Sequence, residues 1–252
     1  MNLKVILTGA TGRTGRLVFQ KLKADPSNFS VTGLIRNADT AKEVFGTTED
    51  LVEGDIRKPD TLEKPFAGKD ALVLLTSAVP KPISSPDGGP PQFSFDPEGM
   101  PEIIDWQGAK NQIDTAIRLG LKHVIMVGSM GSTQENNPLN RIGNGNILRF
   151  KRKAELYLIE SGIPYTIINP AGLTNEDESE RELLIGRNDE LFSVFDRMKC
   201  SIPRADVARV VVAALTAEKA RNKAMDLAAR PKGDGSVTQN PMTLFDLAGS
   251  QL

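Results

Sequence analysis

The sequence is poor in the residues that most often do chemistry by themselves. Its 252 residues include one cysteine, one histidine, one tryptophan and two tyrosines. A single cysteine closes no disulfide within the chain, which fits a reducing compartment. With one histidine and one cysteine, metal sites built from those ligands are nearly excluded. Cys200, in "MKCSIP", reads as a small buried hydrophobe rather than a nucleophile. His123 stands just before "VIMVGS" and reads as the first residue of a strand rather than as a base or ligand. Charge of one sign is also lacking: 31 lysines and arginines face 32 acidic residues, for a formal net charge of -1. That leaves no basic field to grip nucleic acid. No apolar run is long enough to span a bilayer. "MNLKVILTG" passes straight into a strand pattern without a charged leader. A cytoplasmic location is therefore expected, with a plastid or other organelle open if a transit peptide has been removed.

What is present has the balance of an ordinary globular chain, with 39% hydrophobic and 25% charged residues. The length suits one medium α/β domain over 1–252 with a small C-terminal, substrate-side extension. Short β-rich apolar runs (3–9, 29–36, 50–56, 70–78, 122–129, 164–170) alternate with amphipathic ones (14–24, 40–45, 103–119, 147–160, 204–217). The strands lack polar alternation, as a sheet covered on both faces requires. Strands alternating with helices predict a parallel, doubly wound α/β sheet. In the helix expected at 103–119, Ile103, Trp106, Ile113, Ala116 and Ile117 fall mostly on one face, and Gly120 ends it. One segment breaks the rhythm: "VPKPISSPDGGPPQFSFDPEGMPE" (79–102) follows the fourth strand, where ligands bind in open α/β sheets. It is a lid loop or a tolerated surface insertion.

Chemistry concentrates in "ILTGATGRTGRLVFQKL" (6–22). Gly9, Gly12 and Gly15 follow a strand and open a helix, the context that a dinucleotide-binding glycine motif needs. One glycine turns the chain, one lets the backbone approach a pyrophosphate, and one lets helix and strand pack. The helix N-terminus presents free N–H groups and a positive dipole end. The turn's Thr11, Arg13 and Thr14 join the candidate cradle. At the end of the second strand an acidic residue would read a ribose 2′-hydroxyl. Arg36 stands there instead and favours a 2′-phosphate, hence NADP(H). Arg13 would add a second cation. Asp55 and Ile56, in "GDI", are candidates for the adenine side. Leu75, Thr76 and Ser77, after the fourth strand, are candidates for the ribose and pyrophosphate. The acidic run "NEDESERE" (175–182) reads as a solvated loop rather than a cation site.

These motifs resemble, in order, those of the short-chain dehydrogenase/reductase superfamily, in its atypical NADP-binding branch. "TGATGRTG" is similar to that branch's glycine motif and "GDI" to its adenine-side motif. "DWQGAKNQIDTA", with Gly108 and Asn111, resembles its "V-x-G-x-x-N" helix. "VGSMG" resembles its strand-five serine motif, "KRKAE" its active-site helix and "PRADVA" its C-terminal helix start. The series is most similar to the plant NAD(P)-binding Rossmann proteins of the branch. The resemblance implies a Rossmann fold. It implies that Lys151 holds the nicotinamide ribose, that Ser129 orients substrate, and that Pro170, Ala171 and Gly172 line the carboxamide end of the cofactor. It also marks a departure. The family's reductases carry a tyrosine four residues before the lysine, to transfer a proton. Here that position is Ile147, and neither Tyr157 nor Tyr165 stands where it would replace it.

Two functions follow. One is an NADPH-dependent reductase of a small molecule (a quinone, flavin or carbonyl), with the proton drawn from water or not needed. The other is a non-catalytic NADP(H)-binding sensor or scaffold. A protein partner or a homodimer is compatible with both.

Overall fold

The computed structural model describes residues 2–83, 92–195 and 200–247. The chain begins β1 (Leu3–Thr8), α1 (Gly15–Lys23), β2 (Phe29–Ile35), α2 (Ala38–Phe45) and β3 (Leu51–Glu53). A short α3 (Glu63–Phe66), β4 (Ala71–Leu74) and a hairpin of β5 (Lys81–Ile83) and β6 (Gln92–Ser94) follow. Next come α4, π-helical over Glu102–Gly108 and α-helical over Ala109–Arg118, and β7 (His123–Val127). The second half holds α5 (Ile147–Glu160), β8 (Tyr165–Pro170), β9 (Gly172–Thr174) and β10 (Leu183–Gly186). It closes with α6 (Leu191–Val194), β11 (Ser201–Pro203), α7 (Arg204–Thr216), β12 (Lys223–Ala229) and α8 (Leu244–Leu247).

Among the described residues, one sheet runs β3-β2-β1-β4-β7-β8-β12-β11-β9, with β10 alongside β12. Every pairing from β3 to β12 is parallel. Only β10 and β11 run antiparallel to β12. The Rossmann-like α/β sheet expected from the sequence is present, and β9, β10 and β11 form its small C-terminal addition. Alternation along each strand makes two cores. Val5 and Leu7 of β1 face one way with Val73 and Ile125, under Val18 and Leu22 of α1 and Val207 and Val211 of α7. Ile6 faces the other way with Leu72, Val124 and Ile167, under Ile113 of α4 and Leu158 of α5. Burying such side chains on both faces contributes roughly 1.5–3 kcal/mol each.

Four details depart from the expected elements. β12 has no counterpart among the expected strands, because its "KAMDLAA" is alanine-rich and interrupted by Asp226. The expected strands 50–56 and 70–78 stop at Glu53 and Leu74, and their ends serve as turns instead. The segment 79–102 is not all loop: β5 and β6 pair antiparallel within it, Lys81 opposite Ser94, while its 84–91 stretch lies outside the described residues. Helix 103–119 begins as a π turn, and its buried face is wider than expected: Ile113 and Ala116 are buried and Ile103 and Trp106 pack against the core. Ile117 is exposed, whereas Asp105, Asn111, Gln112 and Thr115 are buried. An extra residue per turn shifts the phase of the face that a regular 3.6 period would present.

The two solitary residues have structural places. His123 Nε2 lies 2.9 Å from Thr166 Oγ1, and burial lowers its pKa to about 4, with the charge of Arg221 adding to the effect. Cys200 is buried, and its thiol is pushed up to about 11, so it stays protonated at neutral pH.

Candidate active site

β1 and β4 are neighbours in the sheet although their chain continuations lead in opposite directions, β1 to β2 and β4 to β7. Such a switch point opens a crevice at the C-terminal strand ends. The glycine turn sits there. Thr8 is in register with both Leu34 and Leu74, which sets Gly9 level with the ends of β2 and β4. Gly9 has φ +71°, and a Cβ on it would lie 2.9 Å from the Leu75 carbonyl. A Cβ on Gly15 would lie 2.0 Å from Gly9 O. Gly12 N–H closes the turn on Gly9 O at 2.9 Å. The turn is thus pressed between α1 and β4 by backbone contacts that tolerate no side chain.

The residues present fit a dinucleotide pyrophosphate. α1 has no side-chain cap and no acidic residue in its first turn. Among the described residues, the N–H groups of Arg13, Thr14 and Gly15 donate no hydrogen bond. Donors of this kind at a helix N-terminus bind anions. The Arg13 side chain is exposed, and its charge is felt by Arg204.

Arg36 follows β2 and is exposed. Among the described residues it forms no hydrogen bond or ion pair. The Asn37 side chain next to it accepts from Asp39 and Thr40 N–H, and so starts α2 at once. Asp55, the expected adenine-side residue, has a partner within the chain. Its carboxylate is held by Arg57, with Nη2–Oδ2 at 2.5 Å, and Arg57 also pairs with Glu98. Bonding from Arg57 keeps the Asp55 carboxyl below its ordinary range, with Arg36 a smaller influence. Ile56 is 5% exposed and belongs to the core. A Cβ on Gly108 would meet Ile56 Cδ1 at 2.6 Å, and Asn111 Nδ2 donates to Ile56 O at 2.8 Å. The α4 motif residues therefore anchor this turn. Leu75 and Thr76 are half-buried and Ser77 is exposed. Gln112 Nε2 reaches Thr76 Oγ1 at 3.2 Å.

On the other side of the crevice, Ser129 follows β7, and its hydroxyl donates to Met130 O at 3.0 Å. Met130 N–H donates to Pro170 O, which ties this turn to the end of β8. Ala171 is buried and Gly172 is exposed. Lys151 is buried on α5, and its ammonium lies 2.8 Å from Asp105 Oδ1. Ile147, one turn earlier, packs half-buried against the α4–α5 core. Tyr157 is directed elsewhere, as its spacing implied: its hydroxyl donates to Asp114, and Trp106 meets its ring edge-on at 5.6 Å. Tyr165 is buried at the start of β8. The 79–102 segment reaches this side too. Phe95 packs on the stretch just before α5, where a Cβ on Gly145 would meet its ring at 2.4 Å. The carboxylates of 175–182 are largely engaged, Glu178 with Lys21, Glu180 with Lys232 and Glu182 with Arg230.

Two groups of polar residues escaped sequence reasoning. One is Asp105. The other lies between α5 and the ends of β8 and β12, around a small hollow lined by Thr133, Arg152, Glu155, Asn169 and Asp226 among others. Glu155 accepts from Asn169 Nδ2 at 2.7 Å and pairs with Arg152 at 2.8 Å. Asp226 accepts from Asp189 N–H at 2.6 Å. Burial and the nearby Asp189 charge raise Asp226 to about 7. The only sequence signal was an aspartate inside an otherwise small-residue run. A carboxyl raised on folding contributes stability below its ordinary range, and loses it as pH rises through about 7. Asp226→Asn is therefore expected to raise Tm by several degrees at pH 8 and by less than half as much at pH 5, where only part of the cost has accrued. The full cost removed is at most about 4 kcal/mol. Thermal melts at the two pH values check this; an equal shift at both would contradict it.

Comparison with known proteins shows the family and the fold. A family described as NAD(P)H-binding matches residues 9–218. An uncharacterized chloroplastic protein of Arabidopsis thaliana is 50% identical over 246 residues, 96% of this chain and 74% of that protein. Sanguinarine reductase of Eschscholzia californica is 44% identical over 263 residues, 96% of this chain and 95% of that enzyme. Among solved structures, a putative NAD-dependent epimerase/dehydratase from Bacillus halodurans superposes with TM-score 0.73 at 23% identity, covering 98% and 100% of the two chains. A Citrobacter sp. triphenylmethane reductase complexed with NADP(H) has the same fold, with TM-score 0.59 at 19% identity over 91% and 71% of the chains.

Proposed function

The chain belongs to the NAD(P)H-binding family, and on that premise we propose that it is an NADPH-dependent reductase of a small molecule that needs no acid from position 147. The observation that carries this reading is the placement of Lys151. A buried ammonium on α5, tied through Asp105 to the exit of β4, and the Ser129 hydroxyl after β7 stand at the same C-terminal end of the strands as the glycine turn. A sensor that only bound the cofactor would have less need of them. The bound nicotinamide supplies a hydride, and the protein supplies binding, orientation and electrostatics. The N–H groups of residues 13–15 hold the pyrophosphate, Arg36 the 2′-phosphate and Lys151 the nicotinamide ribose. Pro170, Ala171 and Gly172 line the carboxamide end.

With isoleucine at 147, the substrate classes that fit are those that take hydride alone or collect their proton from water: quinones, flavins, and carbonyls activated by Ser129. The likeness to sanguinarine reductase over 95% of that enzyme supports a small-molecule substrate. The chloroplastic names of relatives support a plastid location. No helix among the described residues is long and apolar enough to cross a membrane. The whole chain is read as one nucleotide-binding domain.

The test is NADPH oxidation against quinones, flavins and aldehydes, with Lys151→Ala alongside. Turnover on at least one class is expected. Lys151→Ala is expected to raise KM for NADPH about tenfold, as a charge-assisted hydrogen bond is lost. NADPH binding with no turnover on any substrate would replace the reductase by the sensor, the reading that Ile147 favours.

A further inference from the structure

Lys151 carries a charge in a place almost closed to water, with 11% of its side chain exposed. A buried ammonium requires a counter-charge nearby. Its helix neighbour at position 147 is isoleucine and offers no polar atom. The counter-charge comes from Asp105, whose side chain is 1% exposed and whose Oδ1 stands 2.8 Å from the ammonium. Asp105 sits in the π-helical turn Glu102–Gly108, and such turns recur at functional sites. Its other oxygen, Oδ2, accepts Ala78 N–H at 3.0 Å. One carboxylate therefore ties together the exit of β4, the first turn of α4 and the active-site helix.

The contact has an informative orientation. Oδ1 is close to the ammonium, yet it receives no directed hydrogen bond. The attraction is that of an ion pair, which needs distance and not alignment. The ammonium's N–H groups stay available to other acceptors. We propose that Asp105 is a positioning residue. It fixes Lys151 by charge while leaving the lysine's donors for the ribose hydroxyls of the nicotinamide end. This proposal rests on the reading of Lys151 as a cofactor-holding residue. It adds that the lysine works only while Asp105 holds it.

The experiment is a double-mutant cycle of Asp105→Asn and Lys151→Ala, read by NADPH titration and by KM and kcat for NADPH oxidation. Asparagine keeps an oxygen for Ala78 N–H and removes the charge. Asp105→Asn is expected to weaken NADPH binding about tenfold in the wild-type background and less than twofold in the Lys151→Ala background. Such coupling is what residues acting through one another show. Equal losses in both backgrounds would overturn the proposal, because Asp105 would then act on the fold and not on the lysine. Unchanged binding in Asp105→Asn would overturn it as well. Asp105→Glu restores the charge and is expected to stay within about threefold of wild type. A loss as large as that of asparagine would refute the charge argument, and this variant keeps the test decisive if Asp105→Asn does not fold. Wild-type protein that fails to bind NADPH, or Lys151→Ala that binds it normally, would instead bring down the cofactor reading, and the positioning role with it.

Discussion

Gly15→Ala is expected to remove NADPH binding, by at least about 100-fold, and to lower Tm by about 5–10 °C. The added Cβ would lie 2.0 Å from Gly9 O, 2.9 Å from Gly9 C and 3.3 Å from Ala10 Cα. All three are backbone atoms, so no side chain can swing aside. The turn cannot retreat either, because Gly9 is already against the Leu75 carbonyl. Either α1 or the end of β1 must move. Overpacking of this kind costs about 1–3 kcal/mol, and in a chain of this size each kcal/mol is worth about 2–4 °C. Binding suffers more than folding. The N–H groups of residues 13–15 donate no hydrogen bond among the described residues, and each charge-assisted bond to phosphate lost costs about 1.5–3 kcal/mol. Gly68→Ala is the control: Gly68 has φ +68° with nothing within 4 Å of its would-be Cβ. It is expected to cost about 1 kcal/mol in backbone strain and nothing in affinity. Calorimetric or fluorescence titration with NADPH, beside thermal melts, separates the two. Gly15→Ala that binds NADPH normally would contradict the pyrophosphate cradle.

Arg36→Ala is expected to weaken NADPH by about 10- to 100-fold, the worth of about 1.5–3 kcal/mol from hydrogen bonds to a charged group, and to leave NADH unchanged. The reason lies in how the surrounding charges are disposed. The nearby carboxylate, Asp55, is engaged by Arg57, and so repels an incoming phosphate less than a lone carboxylate would. Arg36 has no such partner among the described residues and is exposed. Because it is exposed, the discrimination is expected to shrink with ionic strength. Arg36→Asp goes further and is expected to reverse the preference, since a carboxylate at this strand end suits a ribose 2′-hydroxyl. Parallel titrations with NADPH and NADH check both variants. An unchanged ratio in Arg36→Ala would assign the 2′-phosphate to another residue, for which Arg13 is placed.

These two experiments probe the part of the site that is local in sequence. The glycine turn, the helix behind it and the arginine at the end of β2 all lie within the first 36 residues. Their relations follow from strand–turn–helix geometry, so a linear reading reaches them. Ser129 and Lys151 became candidates through the family resemblance alone, whereas the inability of Ile147 to give a proton is a property of the residue itself. The reading went less far at Asp55 and Ile56. Their neighbourhood in the chain suggested groups facing the adenine, and it did not show that Arg57 pairs with the carboxylate or that Gly108 and Asn111 pack on and bond to the isoleucine. It also missed the hairpin within 79–102 and the strand β12. Three-residue strands carry too little periodicity to register, and an aspartate in mid-strand disguises the other.

The amino-acid sequence by itself determined the layered α/β sheet and the position of the glycine turn. Apolar runs dictate which segments are buried on both faces, and glycines dictate where the backbone comes close. It also determined that position 147 gives no proton. Only the tertiary structure decided which charges meet. Asp105 and Lys151 lie on different helices, and a π turn shifts the phase of the face between them. Asp226, Asp189 and Glu155 come together from β12, the loop before α6 and α5. A charge in the chain is neutral information until folding sets its neighbours, because both the cost of burying it and the gain from pairing it depend on distance through space, not along the chain.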